Sequence, residues 1–472
     1  RWAVRFSLHD LPPLPSGPAP GYVAWVMPQS LTPMLRLGTV HEGATALGPF
    51  ALQSFLVHVS AEPDTATTTR QGRLVLRGES AATRLRPADN YEFFLGGIGV
   101  PREQDEHAHH MGAAPDSLGW TGIPMYPGLD MLPSEMALRP PMAAWRLPEQ
   151  SSAPTARPRE VMTLADGDTL DLTAGVVRRT IAGRSYTMFG FNGQYPGPML
   201  RVPQGAHVVV RFHNALPLPS TVHWHGLRLD ARFDGVPGLS QPAVEPGEGV
   251  TCRGAFRGAR ICWYHPHVRE DIQQDLGLYG NIFVQPSRPD AWGPVHREEF
   301  LILDDLLVGS DGLVPWGRDE PTHAAMGRFG NLFLVNGEPD WTLAARQGEV
   351  VRLFLTNVSN TRTFNLSFGT GARLKVVGSD LGNFVRESWA ESVVIGPAER
   401  YVVEVRFEAP GPVGMVNAVQ GQDHMNGRFF PVVDTLGVVT VEQGRAEPDL
   451  AQSLGALRTD RFLAGEAVAL RR

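Results

Sequence analysis

Short runs of strand-forming residues recur along this chain, each closed by a glycine or proline turn. In residues 1–100 the pieces "GYVAWVMP", "SFLVHVSAE" and "GRLVLRGES" alternate or cluster β-formers in this way, which predicts a small β-rich domain. Residues 101–159 lose that periodicity and prolines crowd in, so the stretch reads as a linker. Two longer segments then copy one unit. "FNGQYPGPMLRVPQGAHVVVRFHNALPLPSTVHWHG" is answered by "VNGEPDWTLAARQGEVVRLFLTNVSNTRTFNLSFG". Asn192-Gly193 aligns with Asn336-Gly337, Gly205 with Gly348, and Asn214 with Asn357. In both, a glycine turn precedes a β-rich strand and an asparagine ends it. Self-similarity at so long a period predicts a duplicated domain. The copies span about 160–290 and 291–445, each the size of a Greek-key β-sandwich, with a linker-like tail over 446–472. The expected class is all-β.

Composition changes this picture little. A length of 472 residues fits three or four domains of about 100–200 residues. A net charge of -7 speaks against a nucleic-acid partner. No apolar run reaches the length of a membrane span, and no signal peptide is visible in a chain that opens "RWAVRFSLHD". Two cysteines, Cys252 and Cys262, exclude a disulfide scaffold; a hairpin is expected between them at "AFRGAR", and one bridge across it and two buried thiols both remain open.

The chemistry concentrates in two histidine pairs, "TVHWHG" and "CWYHPH". Alternate residues of a strand point to one face, so His223 and His225 point together, as do His265 and His267. Two such strands side by side bring four imidazoles to one spot, and imidazole is a general ligand for copper, zinc, iron and nickel. The duplication supplies an internal control: where the first copy has His223 and His225, the second has Asn365 and Ser367. The fold therefore does not need histidine there. The linker adds His107, His109, His110 and Met111, then Met125, Met131, Met136 and Met142, which read either as a surface loop or as a soft-metal contact region.

"TVHWHGLRLDARFDGVPG" followed by "ICWYHPH" resembles the first cupredoxin domain of the multicopper oxidases, the laccase and cuprous-oxidase family. The resemblance covers about 160–445 and implies tandem cupredoxin-like Greek-key sandwiches. It implies His223 as a type 2 copper ligand, and His225, His265 and His267 as type 3 ligands. Asp234 in "FDGVPG" matches the family's acidic residue that helps deliver protons; its plain alternative is a turn aspartate before glycine. Glu270 and Asp271 are weaker candidates for that role. The implied activity is one-electron oxidation of a phenolic, amine or metal-ion substrate coupled to four-electron reduction of dioxygen to water, in a periplasmic or extracellular location. The alternative is a non-catalytic cupredoxin-based binding or assembly protein.

Half of the family's pattern is not in this sequence. Four more histidines and the type 1 ligands would lie in H-x-x-H-x-H and H-C-H-x-x-x-H stretches of a third cupredoxin domain. Beyond His267 only the isolated His296, His323 and His424 occur. The sequence stops at "FLAGEAVALRR", about where a linker to that domain would run. We therefore expect the N-terminal portion of an oxidase whose third domain lies on the same or another chain.

Overall fold

The computed structural model of the chain describes residues 2–28, 33–52, 55–79, 92–93, 147–148, 152–317, 327–369, 372–423 and 428–459. The histidines and methionines named between 107 and 142, and His323, His424 and Met425, lie outside these. The described chain is nearly all strand, as the sequence pattern predicts.

At the N-terminus a two-stranded sheet, Trp2–Leu8 with Gly43–Phe50, packs on a four-stranded one built from Leu35–Val40, Gly21–Met27, Leu56–Glu62 and Arg73–Glu79. Phe6, Ala24, Val26, Val57 and Val59 meet between them. On the sheet's other face Trp25 lies directly opposite His58, which has Arg77 on its far side. His58 is 2 % exposed and neither ring nitrogen has a partner among the described residues. Burial, with Arg70 and Arg77 nearby, pushes its pKa down to about 4. The unfolded chain takes up that proton near pH 6.5, well before the folded one. Stability from this site is therefore complete above pH 6.5 and is lost as pH falls toward 4, by about 3 kcal/mol. Hydrogen exchange in Gly21–Met27 and Leu56–Glu62, corrected for intrinsic rates, should quicken over that window, and His58→Leu should remove the effect.

The two aligned segments share strand pairings and asparagine contacts, though their sheets differ in strand number. In the first copy Arg184–Phe191, Thr169–Ile181, His207–Asn214 and Gly249–Ala255 form one sheet. The other is ordered His223–His225, Arg260–His265, Gly280–Gln285, Met199–Pro203, Val161–Thr163. His207–Asn214 runs parallel to Thr169–Ile181 and antiparallel to Gly249–Ala255. Val350–Asn357 in the second copy likewise runs parallel to Arg297–Leu306 and antiparallel to Arg400–Arg406. The aligned asparagines do identical work. Asn192 and Asn336 both adopt positive φ, and their Oδ1 atoms accept from Thr173 N and Ile302 N at 2.7 and 2.9 Å. Asn214 Nδ2 donates to Leu218 O and Val244 O while Oδ1 accepts from Leu216 N. Asn357 repeats this with Arg362 O, Ile395 O and Ser359 N. Each asparagine closes the loop that follows its strand, where a buried backbone group would otherwise go unpaired.

The two copies share a buried boundary. Met199, Ile261 and Phe283 of the first pack on Phe300, Phe354, Val377 and Val402 of the second. Phe300 and Phe354 stack at 4.6 Å. Asn281 Nδ2 donates to Thr356 Oγ1 at 2.8 Å, Gln274 Nε2 to Val358 O at 2.7 Å, and Arg159 Nη2 to Phe300 O at 2.8 Å. This explains why every residue of Arg260–His265 is buried. Cys262 and Tyr264 face the first copy's core, while Ile261 and Trp263 face the second copy.

Residues 446–459 also lie against the second copy. His296 Nε2 donates to Pro448 O at 2.9 Å, and Arg458 N to a Glu387 carboxylate oxygen at 2.8 Å.

Candidate metal centre

His223–His225 is an edge strand of three residues, antiparallel to Arg260–His265. His223 lies opposite His265, Trp224 opposite Tyr264, and His225 opposite Trp263. Strand alternation sends Trp224 and Tyr264 into the first core, 5.9 Å apart, and leaves the imidazoles on the other face. His267, just past the strand, joins them because its backbone N–H donates to Thr221 Oγ1 at 3.0 Å. All four predicted histidines thus converge. Ring centroids stand 4.5 Å apart for His223–His267, 5.3 Å for His223–His265, 5.4 Å for His223–His225 and 5.0 Å for His265–His267. One nitrogen each from His223, His265 and His267 fall within 4.8 Å of one another. His223 is therefore central to the cluster in this geometry.

Anchors on the far nitrogens fix which atoms point inward. His223 Nδ1 donates to the backbone carbonyl of Asp234 at 2.7 Å, and His265 Nδ1 to Pro266 O at 2.9 Å. His267 Nδ1 pairs with the Glu270 carboxylate. Each such bond places the proton on Nδ1 and leaves the Nε2 lone pair for a ligand. His225 presents Nδ1 instead, 3.4 Å from His265 Nε2. Two nitrogens bound tetrahedrally to one metal at about 2.0–2.1 Å stand about 3.3–3.4 Å apart, so this pair fits a shared ion. Burial drives His225 down to about 3, helped by Arg400 and the neighbouring histidines. It also holds His265 and His223 below the usual imidazole range. These three rings are neutral at pH 7, the state that binds a metal. An all-imidazole donor set of this kind suits copper, zinc, nickel or iron.

Asp234 closes a short 3₁₀ turn, Ala231–Phe233, whose N-cap is Asp230. Its carboxylate Oδ1 lies 3.3 Å from His223 Nδ1 and is partly exposed, so it bridges the site and solvent. Sequence reasoning singled out this carboxylate; the backbone carbonyl that anchors His223 carries no such signal. Of the two weaker candidates, Glu270 touches His267, whereas Asp271 pairs with Arg269 at 2.9 Å.

Several features went unread in the sequence. Trp263 stacks on His265 at 3.9 Å and 14°, a placement that its i−2 spacing could have signalled. Arg400 reaches over from the second copy: a Cβ on Gly226 would lie 2.6 Å from its Nη2. Nothing local to "HWHG" could announce it. The cysteines are free, and the hairpin expected between them does not form. Gly249–Ala255 and Arg260–His265 belong to different sheets, because the chain crosses between layers at "FRGA". Burial raises the Cys262 thiol to about 11, which leaves it inert.

The second copy shows the same strand without the cluster. Asn365 donates through Nδ2 to Ala418 O at 2.7 Å, and its N–H donates to Asn417 Oδ1 at 2.8 Å. Side-chain amides tie this strand to its neighbour where the first copy holds imidazoles.

Comparison with known proteins follows the same lines. Residues 174–289 match the family model described as multicopper oxidase. Copper resistance protein A of Pseudomonas syringae pv. tomato is 27% identical over 314 residues, 57% of this chain and 50% of that protein. Multicopper oxidase MmcO of Mycobacterium tuberculosis is 27% identical over 361 residues, 64% of this chain and 68% of the relative. The crystal structure of a multi-copper oxidase from Pseudomonas thermotolerans superposes with a TM-score of 0.52 at 29% identity, covering 61% of this chain and 66% of the other. The chain spans about half the length of the copper resistance proteins that it matches.

Proposed function

We propose, from the match of residues 174–289 to the multicopper oxidase family model, that this chain is a multicopper oxidase and that His223, His225, His265 and His267 hold copper for the reduction of dioxygen to water. The observation that carries the reading is the convergence of four imidazoles, three with Nδ1 anchored and Nε2 turned inward, found among the described residues in the first copy alone. Bound there, copper would supply one-electron chemistry between a reducing substrate and dioxygen. His223 belongs to a type 2 site and the other three to a type 3 pair, with the remaining ligands and the type 1 centre on a third cupredoxin domain of the same or another chain. The reducing substrate is a phenol, an aromatic amine or a metal ion, and the protein works in the periplasm or outside the cell. Among the described residues no helix is long and apolar enough to cross a membrane.

The chain's own residues do three things in this reading. The imidazoles of His223, His225 and His265 stay neutral and offer lone pairs without a proton to displace. The Asp234 carbonyl and the Glu270 carboxylate hold two rings in register. The Asp234 carboxylate, between His223 and solvent, passes protons inward during oxygen reduction.

The test is copper content and nitrogen coordination of the purified protein, with and without His265→Ala. Binding of other metals in preference to copper, or coordination without imidazole nitrogen, overturns the reading. Asp234→Asn leaves the backbone anchor in place. It should keep the copper content and, in the oxidase completed by the third domain, slow oxygen consumption with a phenol donor by about 100-fold or more, the usual contribution of a positioned proton donor. An unchanged rate removes Asp234 from proton delivery.

A further inference from the structure

Three of the four histidines are oriented by a hydrogen bond on the nitrogen that faces away from the cluster: His223 by Asp234 O, His265 by Pro266 O and His267 by Glu270. Such bonds fix the ring plane of a metal-binding imidazole and are worth roughly 10–100-fold in affinity. His225 is the exception. Its Nδ1 faces His265, and no hydrogen bond to its Nε2 is made among the described residues. Something else must set its plane.

That something is a buried indole. Trp263 is His225's direct cross-strand neighbour and sits two residues before His265 on the same face. Its ring lies 5.2 Å from His225 at 29° and 3.9 Å from His265 at 14°. It is 1 % exposed and is backed by Tyr279, Ile302 and Val358, the last two from the second copy. The plate cannot tilt without breaking that packing, so the imidazoles resting on it cannot tilt either. Trp263 Nε1 has no hydrogen-bond partner among the described residues. The residue is thus held by its faces and not by its polar atom.

We propose that Trp263 is the positioning residue for His225, doing by ring stacking what the carbonyls and the carboxylate do for the other three. The proposal rests on the reading of these histidines as copper ligands. It has a consequence which hydrogen-bonded anchors would not share: a flat ring without N–H must serve as well as the indole. Trp263→Phe keeps an aromatic face and loses no hydrogen bond. Trp263→Leu keeps apolar bulk and loses the plane.

The experiment compares these two variants in the full chain, first without metal and then with copper added against a competing chelator. In the metal-free crystal structures, His225 should hold one ring orientation in the wild type and in Trp263→Phe, and more than one in Trp263→Leu. Copper should bind Trp263→Phe within a few-fold of the wild type and Trp263→Leu about 10–100-fold more weakly. Metal-free melting temperatures control for the smaller side chains. A single His225 orientation in Trp263→Leu, or a Phe variant that falls as far as Leu, overturns the proposal. A wild-type chain that takes up no copper overturns the ligand reading instead, and the metal-free structures still decide the role of Trp263.

Discussion

Replacing Gly235 with alanine should destroy the metal centre while Gly238→Ala, three residues away, leaves it intact. Both glycines have φ of +74°. Both substitutions therefore carry the same left-handed backbone penalty, about 1–3 kcal/mol. They differ in space. A Cβ on Gly238 meets nothing within 4 Å, whereas one on Gly235 would lie 1.9 Å from Val222 O and 2.9 Å from His223 N. Those are backbone atoms of the histidine strand and cannot swing aside. The turn must lift, and Asp234 lifts with it, which removes the carbonyl that orients His223. Metal affinity should fall by at least the roughly 10–100-fold that loss of such an anchor costs. Copper titration of the two variants side by side reads the difference. Equal affinities would show that the turn is not what holds His223.

The largest effect on stability should come from Arg362→Leu, at about 3–5 kcal/mol. Arg362 Nε donates to Asp305 Oδ2 at 2.8 Å and Nη2 to Gly330 O at 2.7 Å, with the guanidinium 4.7 Å from the Phe333 ring centroid. Arginine and aspartate are 1 % and 4 % exposed. Leucine would fill the space and leave Asp305 as a buried carboxylate beside Asp304, without its ion-pair partner. The double variant Arg362→Leu, Asp305→Leu removes the stranded charge and should recover part of the loss. Urea midpoints of the single and double variants measure this. A single variant within 1 kcal/mol of the wild type would mean that water reaches Asp305.

The readable part of this molecule was the part set by short-range rules. Alternation in "HVVVRFHN" and "HWH" gives the faces directly, because a strand has a two-residue period whatever it packs on. The repeated Asn-Gly pairs and strand-ending asparagines were visible because backbone geometry demands them in both copies. The candidate metal ligands were visible because few other needs place four histidines in that spacing. The unread features depend on what the chain meets later. Arg400 follows Gly226 by more than a hundred residues, and no local pattern predicts the encounter. The supposed hairpin at "AFRGAR" failed for a related reason. A glycine-containing bend looks alike in sequence whether it returns a strand to its own sheet or carries it to the opposite one. Asp234 was legible only by half: side-chain chemistry drew notice to it, while its main-chain carbonyl, which accepts from His223 Nδ1, carries no sequence signal.

The shared boundary between the two copies limits how this protein can move. Aromatic packing of Phe283 on Phe300 and Phe354, buried amide bonds such as Asn281 to Thr356, and the indole of Trp263 lodged against Ile302 and Val358 all cross it. A contact that is both apolar and hydrogen-bonded leaves no hinge, since rotation of one sandwich would strand these groups together. Clamshell closure around a substrate is therefore not available to this pair of domains. Access to the four histidines is then set by side chains and loops around a fixed frame.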